Sequence, residues 1–322
     1  MLQQTQVKTV IPFWNRWLRV LPTVEAAAKA PSDKIHKLWE GLGYYNRVRN
    51  LQKAARQIVE KYDGKFPRNF DDALALPGIG RYTAGAVYSI AFNQPVPILD
   101  GNVIRVLTRI FGIGKNPREK KTNTSLWRLA EELVTCAKAQ SPQRNSCSFL
   151  NQSLMELGAL VCTPRQPKCL ICPVQKLCIA FQQNRTGELP NPGKHTAATA
   201  RHCIAFVAEH RGQFLVRQRP AGVVNAHLWE FPNVEIINGK SNPKLAARNL
   251  FGVQPTGLER LCTLKHSITR YRITLDAYRV RWQRRPGRRS GVWLTPAQLR
   301  PLAFPSAHKK LASIATNCIL SG

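Results

Sequence analysis

Acidic residues are scarce in this sequence: 18 Asp plus Glu stand against 48 Lys plus Arg, a formal charge of +30 with the histidines neutral. Self-repulsion on that scale disfavours a compact chain left alone, so the excess points to a polyanionic partner such as nucleic acid. Charge by itself does not separate DNA from RNA or from an anionic membrane surface. Long apolar runs are also lacking, and MLQQTQVKT (1–9) has neither the charged start nor the apolar stretch of a secretory signal. A soluble, cytoplasmic protein is predicted, nucleoid-associated if bacterial, with no membrane partner. Nine cysteines in 322 residues are too few for a disulfide scaffold, and four of them fall between Cys162 and Cys178. The others, Cys136, Cys147, Cys203, Cys262 and Cys318, are scattered.

A hydrophobic fraction of 43% suits globular domains, and the length allows two of ordinary size. The first half reads as helix after helix. Asp33 to Trp39 follows a Pro31-Ser32 start, and Asn46 to Tyr62 carries Val48, Leu51, Ala54, Ala55, Ile58 and Val59 at helical period. Tyr82 to Ala91, Asn102 to Phe111, Asn123 to Thr135 and Cys147 to Leu160 are further helical candidates. From Gln182 to Thr196 the chain turns polar, with Pro190 and Pro192 around an NPG turn, as a linker would. Beyond it the period moves toward two, in 203–209, 213–219 and 271–282, with one convincing helix near Leu245 to Leu250. The expectation is an all-α domain over 1–181, a linker over 182–197 and an α+β domain over 198–322.

Cys162, Cys169, Cys172 and Cys178 form C-x6-C-x2-C-x5-C. Thiolates are soft donors for iron or zinc, and four within 17 residues can close around one centre. Pro164, Pro167 and Pro173 pre-bend the loops between them. Structural zinc usually shows two close pairs, whereas Cys162 stands apart; the spacing favours a [4Fe–4S] cluster over zinc or unligated thiols and leaves all three open. Arg165 and Lys168, in the loop between the first two cysteines, would offer positive charge to a phosphate backbone, and the metal would be structural.

Leu76-Pro77-Gly78-Ile79-Gly80-Arg81-Tyr82-Thr83-Ala84-Gly85 lies between two helical patterns and suggests a helix–hairpin–helix turn. Gly78 and Gly80 would allow dihedrals and close approach that a Cβ obstructs, and the amides at the following helix start could hold a phosphate oxygen. Next comes Asp100, after an apolar run and before a helix, in ILDGNVIRV (98–106). It reads as an N-cap or as a catalytic carboxylate. Breaking an N-glycosidic bond leaves an oxocarbenium-like sugar, and a carboxylate about 4 Å away contributes about 4 kcal/mol at an effective dielectric of 20.

MLQQTQV (1–7), LWEGLGYYNRVRNL (38–51), LPGIGRYTAG (76–85), ILDGNVIRV (98–106) and the cysteine pattern together resemble the helix–hairpin–helix, Gly/Pro-rich, aspartate-containing base-excision superfamily, and within it the MutY adenine DNA glycosylases. The resemblance is dense to about residue 181 and thinner beyond. It implies an all-α helix–hairpin–helix glycosylase domain with an iron–sulfur cluster loop (162–178), followed by an α+β Nudix-like domain that recognises 8-oxoguanine. The implied reaction removes adenine opposite 8-oxoguanine or guanine in double-stranded DNA, by a monomer. Asp100 would stabilise the sugar cation and Asn102 would support it. Tyr82 stands where the endonuclease III-like relatives place a lysine nucleophile, which implies hydrolysis without strand cutting. Gln3, Gln4 and Thr5 would lie beside the lesion pair, and Tyr44 would wedge into the stack beside 8-oxoguanine as adenine flips out. Read without the resemblance, Tyr44 and Tyr45 are a core aromatic pair.

AHLWEFP (226–232) resembles the start of the Nudix-related domain, but KLAARNLFGV (244–253) has no carboxylate to hold Mg²⁺, so diphosphate hydrolysis is not expected. Where the family reads the oxidised guanine with Phe-Ser-His, this chain has Ile268-Thr269-Arg270, which keeps a hydroxyl at Thr269 and a donor at Arg270. The family's general acid, a glutamate two residues ahead of the MLQQT segment, would fall two residues before Met1. MLQQTQVKTVIPFW reads as the interior of a helix, and an N-terminally truncated sequence is inferred, whose extended form excises adenine at least about a hundredfold faster. Otherwise another acid, such as Glu40 or Glu156, must serve. The alternatives are a lesion-DNA-binding protein with little or no catalysis and a thymine or uracil mismatch glycosylase on the same scaffold.

Overall fold

The structure is a computed structural model and describes residues 1–141, 145–191, 193, 197–236, 242–268, 270–282 and 291–320. In chain order the helices are α1 (Val7–Val20), α2 (Val24–Lys29), α3 (Ser32–Trp39), α4 (Asn46–Tyr62), α5 (Phe70–Leu74), α6 (Arg81–Phe92), α7 (Gly101–Ile110), α8 (Lys120–Gln140), α9 (Ser146–Glu156), α10 (Ile179–Gln182), α11 (Pro243–Phe251), α12 (Pro296–Leu299) and α13 (Ser306–Leu320). The strands are β1 (Thr199–His210), β2 (Gln213–Gln218), β3 (Trp229–Glu230), β4 (Asn233–Ile236), β5 (Gly257–Ile268), β6 (Tyr271–Arg281) and β7 (Val292–Leu294). An all-helical N-terminal part and an α+β C-terminal part are thus the observed architecture. No helix among the described residues is long and apolar enough to cross a membrane.

Packing divides the chain into two compact units, Met1–Gly64 with Ala197–Gly322, and Lys65–Thr196. The sequence boundaries at 181 and 198 follow chain order, whereas this division returns the first four helices to the C-terminal sheet. In the first unit, Val10, Trp17, Ile35, Trp39 and Val48 share a core with Leu228 and Ala303. The sheet runs β3-β2-β1-β6-β5, with β4 on β1 and β7 on β2; β1 and β6 are parallel and the other pairs antiparallel. Alternation along β1 sends Ala205 and Val207 to one core and Ile204, Phe206 and Ala208 to another, so both faces are covered. The second unit closes on Ile98, Val103, Val106, Leu107, Leu126 and Leu154.

Three readings of the sequence change here. The first six residues are not helical: α1 starts at Val7 after an extended Gln6, and a turn carries Thr5 N to Leu2 O at 3.2 Å. Strand β5 and helix α13 were not legible, because a register irregularity between Arg260 and Cys262 breaks the alternation of β5. Among its described side chains helix α13 buries Ala307, His308, Leu311 and Ala315, a weak apolar stripe.

Candidate active site and cluster loop

At the start of α7, Asp100 is the N-cap: its Oδ1 accepts from Asn102 N (2.9 Å) and Val103 N (2.8 Å). The capping reading of this residue is therefore realised, and it leaves Oδ2, which accepts from Asn102 Nδ2 at 3.2 Å and keeps further lone-pair capacity. Gly85 brings α6 against the strand-like run ahead of Asp100; a Cβ there would stand 2.2 Å from Pro97 O. Tyr82, in the first turn of α6, is half-buried and donates its hydroxyl to Met155 Sδ at 3.2 Å. Burial, and secondarily the Asp100 carboxylate, push its phenol up, so it stays a neutral hydroxyl.

Asn102, Arg105 and Arg109 recur at helical spacing along one face of α7. Arg105 donates to Asn102 Oδ1 (2.8 Å), Gly158 O (2.7 Å) and Cys162 O (2.7 Å), tying the aspartate's neighbour to the first cysteine. Gly158 permits that approach, since a Cβ would stand 2.7 Å from Asn102 Cβ. Arg109, almost fully buried, donates to Leu189 O (2.8 Å), Thr163 O (2.8 Å), Pro164 O (3.3 Å) and Cys162 Sγ (3.3 Å). These two arginines and Met155 were missed in the sequence. A visible signal existed, because two cations four residues apart on a helix rich in apolar side chains, GNVIRVLTRI, require acceptors wherever that helix is buried.

Cys162, Cys169, Cys172 and Cys178 line one cavity together with Val106, Arg109, Ile110 and Phe181. Among the described residues, no three His, Cys, Asp or Glu side chains converge on a position for a single metal ion. Arg165 and Lys168 are exposed on the loop, as a phosphate contact would require.

At the hairpin, Gly78 takes φ +79, a left-handed conformation that favours glycine. Gly80 differs from expectation: it is the extended N-cap of α6 (φ −95, ψ 177), and a Cβ there would meet nothing within 4 Å. Its lack of a side chain serves no contact inside the protein. The N-cap Gly80 offers no side chain to cap α6, which begins at Arg81. The Arg81 guanidinium is exposed and stacks 4.1 Å from the Trp127 ring centre.

In the other unit, Gln3, Gln4 and Thr5 form the turn before α1, with Gln4 at φ 55. The tyrosine pair is split: Tyr45 is buried, whereas Tyr44 is 53% exposed at φ 47. Arg270 donates to Tyr271 Oη at 3.1 Å, and Arg201 stacks 3.8 Å from the same ring. Thr269 lies outside the described residues. Glu40 cannot serve as a spare acid. Burial pushes its carboxyl up, but hydrogen bonds from Lys309 (2.8 Å), Phe304 N (3.0 Å) and Lys37 (3.0 Å) hold it below the usual carboxylate range. Glu156 is exposed at the end of α9, beside Met155. Helix α11 carries no carboxylate, as the sequence implied.

Residues 1–132 match the HhH-GPD superfamily of base-excision DNA-repair proteins, residues 162–178 the iron–sulfur binding domain of endonuclease III, and residues 203–313 the NUDIX domain. The class is therefore a helix–hairpin–helix repair protein with a Nudix-like domain behind it. Over 97% of its length the chain is similar to the adenine DNA glycosylases of Rattus norvegicus (35% identical, covering 69% of that protein) and Homo sapiens (34%, covering 66%). It belongs to the adenine DNA glycosylase family. The chain spans about two thirds of the length of these curated relatives. Among solved structures, a thermostable thymine-DNA glycosylase aligns with 56% of this chain and 80% of its own, at 33% identity and a TM-score of 0.49.

Proposed function

We propose that this chain is a monofunctional DNA glycosylase, acting as a monomer on double-stranded DNA to hydrolyse the N-glycosidic bond of adenine opposite 8-oxoguanine or guanine. Residues 1–181 supply the glycosylase part and 198–322 the part that reads the oxidised base. The observation that carries this reading is the Asp100 carboxylate, oriented through Oδ1 by two backbone amides with Oδ2 available to a developing sugar cation, and accompanied by the Tyr82 hydroxyl in place of an amine. Such a carboxylate stabilises the charge that appears only in the transition state. Asn102 orients Oδ2. Gly78, Gly80, Arg81 and Thr83 meet phosphate at the α6 start, Arg165 and Lys168 meet it at the cluster loop, Gln3, Gln4, Thr5 and Tyr44 address the lesion pair, and Thr269 and Arg270 address the oxidised base.

The four cysteines are proposed to hold a [4Fe–4S] cluster. Their shared cavity supports it, as does Arg109: among the described residues no carboxylate pairs with this buried cation, and a thiolate-bound cluster supplies the missing negative charge. When bound, the cluster crosslinks the loop and leaves chemistry to Asp100. The purified protein is expected to contain about four irons and to absorb broadly near 400 nm; one zinc and no iron would refute the cluster.

The activity is tested by incubating excess protein with duplexes carrying A·8-oxoG, A·G, T·G or U·G and identifying the released base. Free adenine from the first two, with the product strand intact until heated in alkali, is expected. Thymine or uracil release would move the chain to the mismatch glycosylases. Selective binding of A·8-oxoG duplex with no base released would leave a lesion-binding protein.

A further inference from the structure

One side chain holds together two segments far apart in the sequence. Arg47, in the first turn of α4, donates from Nη1 to Met1 O (2.8 Å), Thr5 Oγ1 (3.1 Å) and Gln3 O, and from Nη2 to Leu42 O (3.1 Å) and Gly43 O (3.4 Å). Its guanidinium carbon also lies 5.6 Å from the Tyr44 ring centre and 5.4 Å from that of Trp39. Trp39 Nε1 donates to the same Gly43 carbonyl at 3.0 Å, so the loop is held from two directions.

Both segments are strained at one residue. Gln4 at φ 55 and Tyr44 at φ 47 occupy the left-handed region, which costs a bulky side chain and persists only where the surroundings over-determine it. The carbonyls just ahead of these two residues, those of Met1, Gln3, Leu42 and Gly43, converge with the Thr5 hydroxyl on the Arg47 guanidinium. A planar fork with five donors can answer two converging turns at once; an ammonium on a flexible stem cannot. The product of this arrangement is an aromatic ring held half in solvent, which no packing need of its own explains.

We propose that Arg47 is the positioning residue of the lesion-side surface. It presents the Tyr44 ring and the Gln3-Gln4-Thr5 turn as one preassembled unit, so that wedge and turn meet the duplex without first being ordered. This rests on the adenine glycosylase reading above. It assigns Arg47 no contact with the reacting atoms.

The test is a double-mutant cycle on the full chain. Affinity for an A·8-oxoG duplex relative to an A·T duplex is measured at several salt concentrations for the wild type, Arg47→Lys, Tyr44→Leu and the double variant. Lysine keeps the charge, so the salt slope of non-specific binding should stay the same, a readout that separates lost positioning from lost phosphate attraction. Arg47→Lys is expected to lower the preference at least about tenfold, and the double variant to fall within about twofold of Tyr44→Leu, because a ring without its support contributes little. Multiplicative losses, or an unchanged preference in Arg47→Lys, would overturn the proposal while leaving the glycosylase reading intact. A wild type with no preference for the lesion duplex would instead overturn that reading and this proposal with it. Should Arg47→Lys fail to fold, Thr5→Val, which deletes one of the five acceptors, enters the same cycle; its loss must likewise be non-multiplicative with Tyr44→Leu, and a multiplicative loss overturns the proposal.

Discussion

Asp100 caps α7 and is proposed to stabilise the developing sugar cation, and a substitution can separate the two roles. Asparagine caps a helix about as well as aspartate but carries no charge. Asp100→Asn should therefore keep the melting temperature within a few degrees while adenine release in single turnovers falls on the order of 10²–10³-fold. Asp100→Ala should lose both, with about 1 kcal/mol of stability gone as well. A second residue couples the C-terminal core to pH. His308 is buried, its Nδ1 accepts from Phe231 N at 3.2 Å, and burial pushes it down to about 4. Its folded pKa lies below the unfolded value of about 6.5, so the unfolded chain takes up the proton first. Its contribution is complete above pH 6.5 and is lost as pH falls toward 4. Between pH 7.5 and 5 this histidine should cost about 2 kcal/mol, read as the extra fall in denaturant midpoint of the wild type relative to His308→Gln. Equal falls in both proteins would locate the acid sensitivity elsewhere.

Among the elements, α6 and α7 carry Tyr82 and Asp100, the residues of the proposed chemistry, and their spacing depends on a missing side chain. The Cβ of Gly85→Ala would stand 2.2 Å from Pro97 O, a backbone atom with no rotamer to yield. The helix must then move, by an amount comparable to the misplacement that costs catalysis about 10²-fold. Gly85→Ala should lose about 1–3 kcal/mol of stability and most of its activity, whereas Gly80→Ala, which meets nothing inside the protein, should stay within about 1 kcal/mol. If Gly80→Ala nevertheless weakens DNA binding, the obstructed partner is the phosphate. Thermal unfolding and duplex affinity measured side by side distinguish the two cases. Helix α7 supplies the remaining link, since Asn102, Arg105 and Arg109 run along it from the aspartate to Cys162.

On the scale of the whole molecule the dominant quantity is the charge of +30. Each phosphate neutralised releases a counterion, so non-specific duplex affinity should fall steeply and linearly in log–log against salt. Arg165→Ala or Lys168→Ala should each reduce that slope by up to about 1 if the residue touches phosphate. Unchanged slopes in both would move the backbone contact off the cluster loop.

The sequence alone determined whatever depends on local pattern. The stripe from Val48 to Val59 specified α4 to the residue, Asn46–Tyr62, and the Leu-Pro-Gly-Ile-Gly spacing located the hairpin with Gly78 at positive φ. The cysteine spacing located a shared cavity, and the absence of carboxylates over 244–253 held on α11. Periodicity and turn chemistry act over a few residues, so one chain suffices to read them. Only the tertiary structure decided which of two adjacent tyrosines is buried, that Asp100 spends Oδ1 on its own helix, and that Glu40 is committed to Lys37, Lys309 and Phe304 N. It alone joined Arg47 to the first turn and Arg109 to the cysteine loop. These are contacts between residues distant in the chain, where a buried donor takes whichever acceptor the packing brings within about 3 Å, and no local rule encodes that choice.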